Sequence, residues 1–312
     1  MYNYPDRFAN VYAIDTHMFG FPRFNAAYIV EGQELALIDT GAPLSLDVVR
    51  EAIRKHGFSI SEISYIFVTH CEHPDHAGNV GSLLKENSKA KVCINPVGTV
   101  FLTNPEIEDA KRRSILPPQM AARFGKMVPV PASRIHTLSD GEQVDLGNGE
   151  KLRAVFTPGH QPSGMVVYEE KNKGLFINDL CGLYLSETGS SWIFTPFSSD
   201  VVQLRESLKK IPTSSLDRLY LGHFGMPDRN PGEVIGNALN KIDRLLDIGD
   251  KCVREGKENE IAHRVVNTLL TPELEKVKAT REDSFYRYLS EELIPSMSEA
   301  FGRYYLEKCK KK

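Results

Sequence analysis

Five short apolar runs in this 312-residue chain each lead directly to an aspartate or a histidine. "LALID" stops at Asp39, "YIFVTH" at His70, "GLFIND" at Asp179 and "LYLGH" at His223, while "AVFTPGH" leads to His160. Runs this short, and this rich in branched and aromatic residues, read as strands. Strands that share a sheet bring the polar groups at their ends onto one rim, where a site can form. The chain is therefore expected to be built on sheets, with its chemistry along one edge.

The remaining pattern fills in the layers. "NVYAID" (10–15), "AAYIVEG" (26–32) and "ELALID" (34–39) read as a meander, and "SYIFVT" (64–69) as a compact buried strand. Leu46, Val49 and Ile53 fall at helical spacing over 45–56, and Val80, Leu83 and Leu84 mark one face of a helix starting near His76. Further strands are expected at 151–156, 164–170, 174–179 and 218–222, with a helix carrying Val201, Val202, Leu204 and Leu208 between the last two. From Pro231 the texture becomes helical, with patterns over 233–248, 258–270 and 284–308. The spacing predicts a mixed α/β body over residues 1–230 and a helical C-terminal extension over 231–312.

Composition narrows the function classes. A net charge of −3 gives no basic bias, which speaks against nucleic-acid binding. The run Lys308, Lys310, Lys311 and Lys312 reads as a solvated tail. The five cysteines, Cys71, Cys93, Cys181, Cys252 and Cys309, are scattered and odd in number, which suits a reducing compartment. The N-terminal segment lacks the apolar stretch of a signal peptide, and no run approaches the ~18 apolar residues that span a bilayer. A cytoplasmic protein acting on a small molecule, without membrane or nucleic-acid partners, is the expectation.

The stretch "VTHCEHPDHAGN" (68–79) packs His70, His73, Asp75 and His76 into one loop, and five of the nine histidines lie at the strand ends. In contrast, His17, His56, His136 and His263 stand alone. "LIDTG", the His/Asp cluster followed by Gly78, "TPGH", the lone Asp179 and "GHFG" resemble, in order, the motif series of the metallo-β-lactamase-fold superfamily. The resemblance covers roughly residues 10–225 and implies an αββα four-layer sandwich with a one- or two-metal site at one edge. It further implies that His70, His73 and His160 hold one metal, that Asp75, His76 and His223 hold another, that Asp179 bridges them, and that Asp39 supports the ligand loop.

One residue departs from the family. The usual spacing is H-x-H-x-D-H, whereas this chain reads H-C-E-H-P-D-H, with one residue too many after the first histidine. Three pairs are open for the first metal: His70 with His73, Cys71 with His73, or His70 with Glu72, the last resembling the iron-binding flavodiiron branch. The "VTH" strand end and the register of His73 with Asp75 and His76 favour the first pair. Imidazole and thiolate suit zinc, while a carboxylate tolerates iron or manganese.

The function implied is a metallo-hydrolase in which two divalent cations, zinc before iron or manganese, make a bound hydroxide available near neutral pH. Asp75 would accept the remaining proton. Within the superfamily the segments look most similar to glyoxalase II and related thioester hydrolases, so an acyl thioester or small ester is the expected substrate. The alternatives are an iron redox enzyme of the same fold, flavodiiron-like or a sulfur dioxygenase, and a lactonase or phosphodiesterase. Tyr184, Trp192, Phe194 and Phe197 are candidates for a pocket wall, or for packing against the C-terminal helices. Lys111, Arg112, Arg113 and Arg123 could meet an anionic tail or simply form a solvated helix face. The C-terminal helices either roof the pocket or mediate a homodimer.

Overall fold

Side-chain alternation decides the layering. In the strand Ala26–Glu31, the side chains of Ala26, Tyr28 and Val30 enter one apolar cluster and those of Ala27 and Ile29 enter another. A sheet buried on both faces needs cover on each side. The computed structural model, which describes residues 5–186, 188–196 and 199–310, supplies that cover as a second sheet on one side and helices on the other.

The first sheet has seven strands in chain order: β1 (Arg7–Phe8), β2 (Val11–Asp15), β3 (Ala26–Glu31), β4 (Leu35–Ile38), β5 (Ile63–Phe67), β6 (Lys91–Ile94) and β7 (Ile135–Thr137). Pairing is antiparallel from β1 to β4 and parallel from β4 to β7. The second sheet contains β8 (Gln143–Gly147), β9 (Glu150–Phe156), β10 (Met165–Glu169) and β11 (Gly174–Phe176). A hairpin of β12 (Leu183–Leu185) and β13 (Ser190–Trp192) precedes β14 (Arg218–Tyr220), which returns to the second sheet parallel to β11.

Tyr28, Phe67, Val167 and Phe176 fill the space between the sheets. Val49, Ile53 and Leu83, from helices Leu46–Lys55 and Val80–Glu86, cover the outer face of the first sheet. Leu204, Ile235 and Ile242, from helices Val201–Lys209 and Pro231–Arg254, cover the second. The order is helix, sheet, sheet, helix, as the resemblance implies. Beyond it, the chain forms a helical C-terminal region.

Some elements differ from expectation. The helix expected near His76 is divided into Pro74–Ala77 and Val80–Glu86 around Asn79. The expected strand 174–179 ends at Phe176, and Asp179 lies in the tight turn Asn178–Cys181. β6, β7 and β8 were not expected from periodicity, since each has at most five residues and draws its definition from neighbouring strands. The C-terminal helices contain two π-helical segments, Val266–Leu270 and Tyr288–Leu293. No helix among the described residues is long and apolar enough to cross a membrane. Lys311 and Lys312 of the basic tail lie outside the described residues.

Among the polar contacts that tie the C-terminal region to this frame is one at Asp200. Asp200 Oδ1 caps helix Val201–Lys209 by accepting from the Val202 and Gln203 backbone N–H groups at 3.0 Å, and it also accepts from the Tyr304 hydroxyl at 2.9 Å. A lost aspartate cap costs about 1 kcal/mol. Asp200→Ala should therefore lower the melting temperature by about 2–4 °C in a thermal unfolding experiment followed by circular dichroism.

Candidate metal centre

Asp39 follows β4 in the left-handed backbone region, at φ +59, which Asp tolerates better than most residues. Its carboxylate accepts from the Thr69 backbone N–H at 2.8 Å and from the Thr69 hydroxyl at 2.7 Å, joining the ends of β4 and β5. It also accepts from His76 Nδ1–H at 2.8 Å. That bond places the His76 proton on Nδ1 and leaves Nε2 facing the rim.

The same device recurs. His70 Nδ1 donates to Asn178 Oδ1 at 3.0 Å, and His223 Nδ1 donates to the Phe24 carbonyl at 2.6 Å. Both Nε2 atoms then face inward. Asn178 holds its position at φ +56 and donates from Nδ2 to the Thr69 carbonyl at 3.2 Å. Gly222 has to lack a side chain, because a Cβ there would lie 2.7 Å from the His76 ring and 2.9 Å from Asp179 Oδ1.

Two groups of donor atoms result: His70, His73 and His160 in one, and Asp75, His76, Asp179 and His223 in the other, each within a 4.8 Å span. Asp179 reaches into both. Its Oδ2 lies 3.2 Å from His160 Nε2 and 3.6 Å from His223 Nε2, while Oδ1 lies 3.2 Å from His76 Nε2. Asp75 also faces both, with Oδ1 3.8 Å from His70 Nε2 and Oδ2 3.5 Å from His223 Nε2.

These atoms are buried, yet His70 Nε2, His160 Nε2, His223 Nε2, Asp75 Oδ1 and Asp179 Oδ1 make no hydrogen bond among the described residues. An unsatisfied buried polar atom ordinarily costs about 1–3 kcal/mol. Several such atoms facing one another fit bound cations, and five imidazoles with two carboxylates suit divalent zinc or iron.

The family model for the metallo-β-lactamase superfamily matches residues 20–223. The chain belongs to this superfamily. It is 31% identical over 193 residues to an uncharacterised protein of Aquifex aeolicus, covering 61% of this chain and 79% of that one. It is also 28% identical over 163 residues to diflavin flavoprotein A 1 of Synechocystis, covering 51% of this chain. The chain spans about a quarter of that flavoprotein, 23% of its length. A metallo-β-lactamase family protein of Thermus thermophilus superposes with a TM-score of 0.66 at 19% identity, over 96% of this chain and 94% of that one.

Against the superfamily spacing, the extra residue in the His70 loop has a clear place. Glu72 Oε1 accepts from the Ser163 backbone N–H at 2.8 Å, and Oε2 accepts from the Ser163 hydroxyl at 2.5 Å and the Cys71 N–H at 3.1 Å. Glu72 thus joins the His70 loop to the His160 loop and lies outside both donor groups. Cys71 is buried in the apolar cluster behind the loop, its sulfur beside Gly98. His73 joins His70 and His160, with its Nε2 3.3 Å from the Gln161 side-chain amide. The sequence treats Ser163 as a turn residue, and nothing in the spacing signals Asn178; only the Asn–Asp pair at the strand end hints at it.

The four isolated histidines have ordinary partners. His17 pairs with Asp15, His56 reaches the Ala13 carbonyl, His136 pairs with Glu142 and His263 meets Asn267.

Electrostatics prepares the donors. Burial pulls the His160 imidazole down to about 3 and that of His73 down to about 4, against the pull of nearby carboxylates. Burial pushes Asp75 and Asp179 upward, but His76 and the other imidazoles more than offset it and hold both well below the usual carboxylate range. For His76, burial pulls downward while Asp179, Asp39 and Asp75 together raise it well above its ordinary value.

The donors lie at the base of a mainly apolar pocket that opens to solvent. Met18 and Phe24, the segment 115–124, Phe194, and Tyr288, Leu293 and Met297 of the C-terminal helices line it. The C-terminal helices therefore contribute to the wall. Of the aromatic residues expected there, Phe194 lines the pocket and packs edge-on to His223, at 4.9 Å between ring centres. Trp192 packs with the C-terminal helices and donates to Glu273, Tyr184 joins the cluster outside the second sheet, and Phe197 lies outside the described residues. Of the cations, Lys111 and Arg112 border the pocket, Arg113 is mostly exposed, and Arg123 pairs with Glu292.

Two outcomes follow. Asp39→Asn should weaken metal affinity by about 10–100-fold in chelator competition, because the His76 ring loses its charged acceptor. In metal-free protein, His160 and His73 take up protons less readily folded than unfolded, so stability is lost as pH falls from their ordinary value of 6.5 toward about 4 for His73 and about 3 for His160. A melting-temperature profile should show this fall, and His160→Gln should flatten it.

Proposed function

We propose that the protein is a metal-dependent hydrolase that cleaves an acyl thioester or a similar small ester at a two-metal centre. The observation that carries this reading is the buried set of inward-facing, unbonded donor atoms at the base of an apolar pocket. His70, His73 and His160 would hold one cation, Asp75, His76 and His223 the other, and Asp179 both. Such a pair, zinc by the preference of imidazole-rich sites, would supply Lewis acidity toward the substrate carbonyl and a nucleophile at neutral pH.

The chain's own groups do the rest. Asp39, Asn178 and the Phe24 carbonyl fix the tautomers of His76, His70 and His223. Asp75, with Oδ1 free of hydrogen bonds among the described residues and 3.8 Å from His70 Nε2, is the carboxylate placed to accept a proton at the rim. Phe24, Phe194 and Met297 exclude water from above. A thioester suits this arrangement because thiolate departs without a strong acid. The likeness of "LIDTG" and "TPGHQPSG" to glyoxalase II and related thioester hydrolases supports the same class.

The likeness to a diflavin flavoprotein favours a second reading, an iron redox centre. Against it stands Glu72, whose carboxylate is engaged by Ser163 and Cys71. Metal analysis of anaerobically purified protein, beside turnover of an acyl-thioester panel, separates the two. Two zinc ions with hydrolysis are expected; two irons, a redox-active spectrum and no hydrolysis would overturn the hydrolase reading.

A further inference from the structure

We infer that the pocket above the donors takes a linear apolar acyl group, so that the preferred substrates are medium-chain acyl esters or thioesters rather than those of charged or sugar-like acids. This rests on the hydrolase reading and names its substrate class.

Four separate parts of the chain bring apolar surface to the wall, and the helix Glu106–Ile115 adds Glu108, Lys111 and Arg112 beside Ile115. Phe24 follows β2, Met120 comes from helix Pro118–Arg123, Phe194 follows β13, and Tyr288, Leu293 and Met297 come from the C-terminal helices. Tyr288 and Leu293 open and close one π-helical segment, a helix form often found at functional sites. Methionines on two sides give the wall flexible, polarisable groups that adapt to a chain.

The charges bordering the pocket are engaged with protein partners. Arg112 is bonded to Asp109 and lies 5.0 Å over the Phe124 ring. Arg123 pairs with Glu292 at 2.8 Å and lies 5.1 Å over the Tyr288 ring, so it braces the wall. Lys111 pairs with Glu108 at 3.5 Å, and its side chain is 46% exposed, which places it toward solvent. A charged acyl group would give up water against phenylalanine, leucine and methionine without recovering a partner. A hydrocarbon chain gains at each methylene.

The test uses the full-length zinc-loaded protein and saturated acyl thioesters of N-acetylcysteamine from acetyl to dodecanoyl, with succinyl as the charged comparison. kcat/KM should rise about three- to fourfold per methylene until the pocket is filled, and succinyl should be poor. Met297→Glu should flatten the series and Met297→Leu should keep it, with metal content and melting temperature measured for both. In parallel, n-alkyl amides from acetamide to decanamide are titrated into metal-free protein and melting temperatures recorded. Chain-length-dependent stabilisation without turnover would uphold the apolar pocket and overturn the hydrolase reading. Turnover independent of chain length, or highest for succinyl, would overturn the pocket assignment and leave hydrolysis standing. Neither turnover nor amide stabilisation would overturn both.

Discussion

The Asp39 carboxylate is the contact on which the site depends. It accepts three hydrogen bonds, two from Thr69 and one from His76, and so fixes the spacing of two strand ends and the tautomer of one donor ring together. Buried as it is, that carboxylate would be costly without those donors. The parallel run β4–β5–β6 is what brings Asp39 and Thr69 side by side, so sheet order and donor geometry share one origin.

Much of this was legible in the chain. Apolar runs ending at Asp39, His70, Asp179 and His223 indicated both the sheets and the rim, because strand ends gather wherever a sheet forms. Alternation within a strand such as Ala26–Glu31 showed little polar face, consistent with burial on both sides. Less legible were features that depend on neighbours. The strand Gln143–Gly147 alternates buried and exposed residues but is short, and its definition comes from pairing with β9. The role of Ser163 emerges only when the loop that carries it meets Glu72, 91 residues away in sequence.

The additional residue in the His70 loop illustrates why spacing alone left three ligand pairs open. Counting fixes distance along the chain but not the direction in which a bend turns its side chains. Here the bend sends Glu72 to Ser163, buries Cys71 behind the loop, and returns His73 to the rim. An insertion that could have loosened the donor loop instead gives it a second attachment, between the His70 and His160 segments.

The Asp200–Tyr304 contact also bears on the pocket wall. Tyr304 and the wall residue Met297 belong to the same helix, Ile294–Lys310, so moving that helix outward would break the Tyr304 hydrogen bond to Asp200, the residue that caps Val201–Lys209. The partly exposed Arg123–Glu292 pair joins the 118–123 helix to the π-helical segment and is screened by dissolved ions. Displacing helix Ile294–Lys310 would therefore disturb the pocket wall and the start of Val201–Lys209 together.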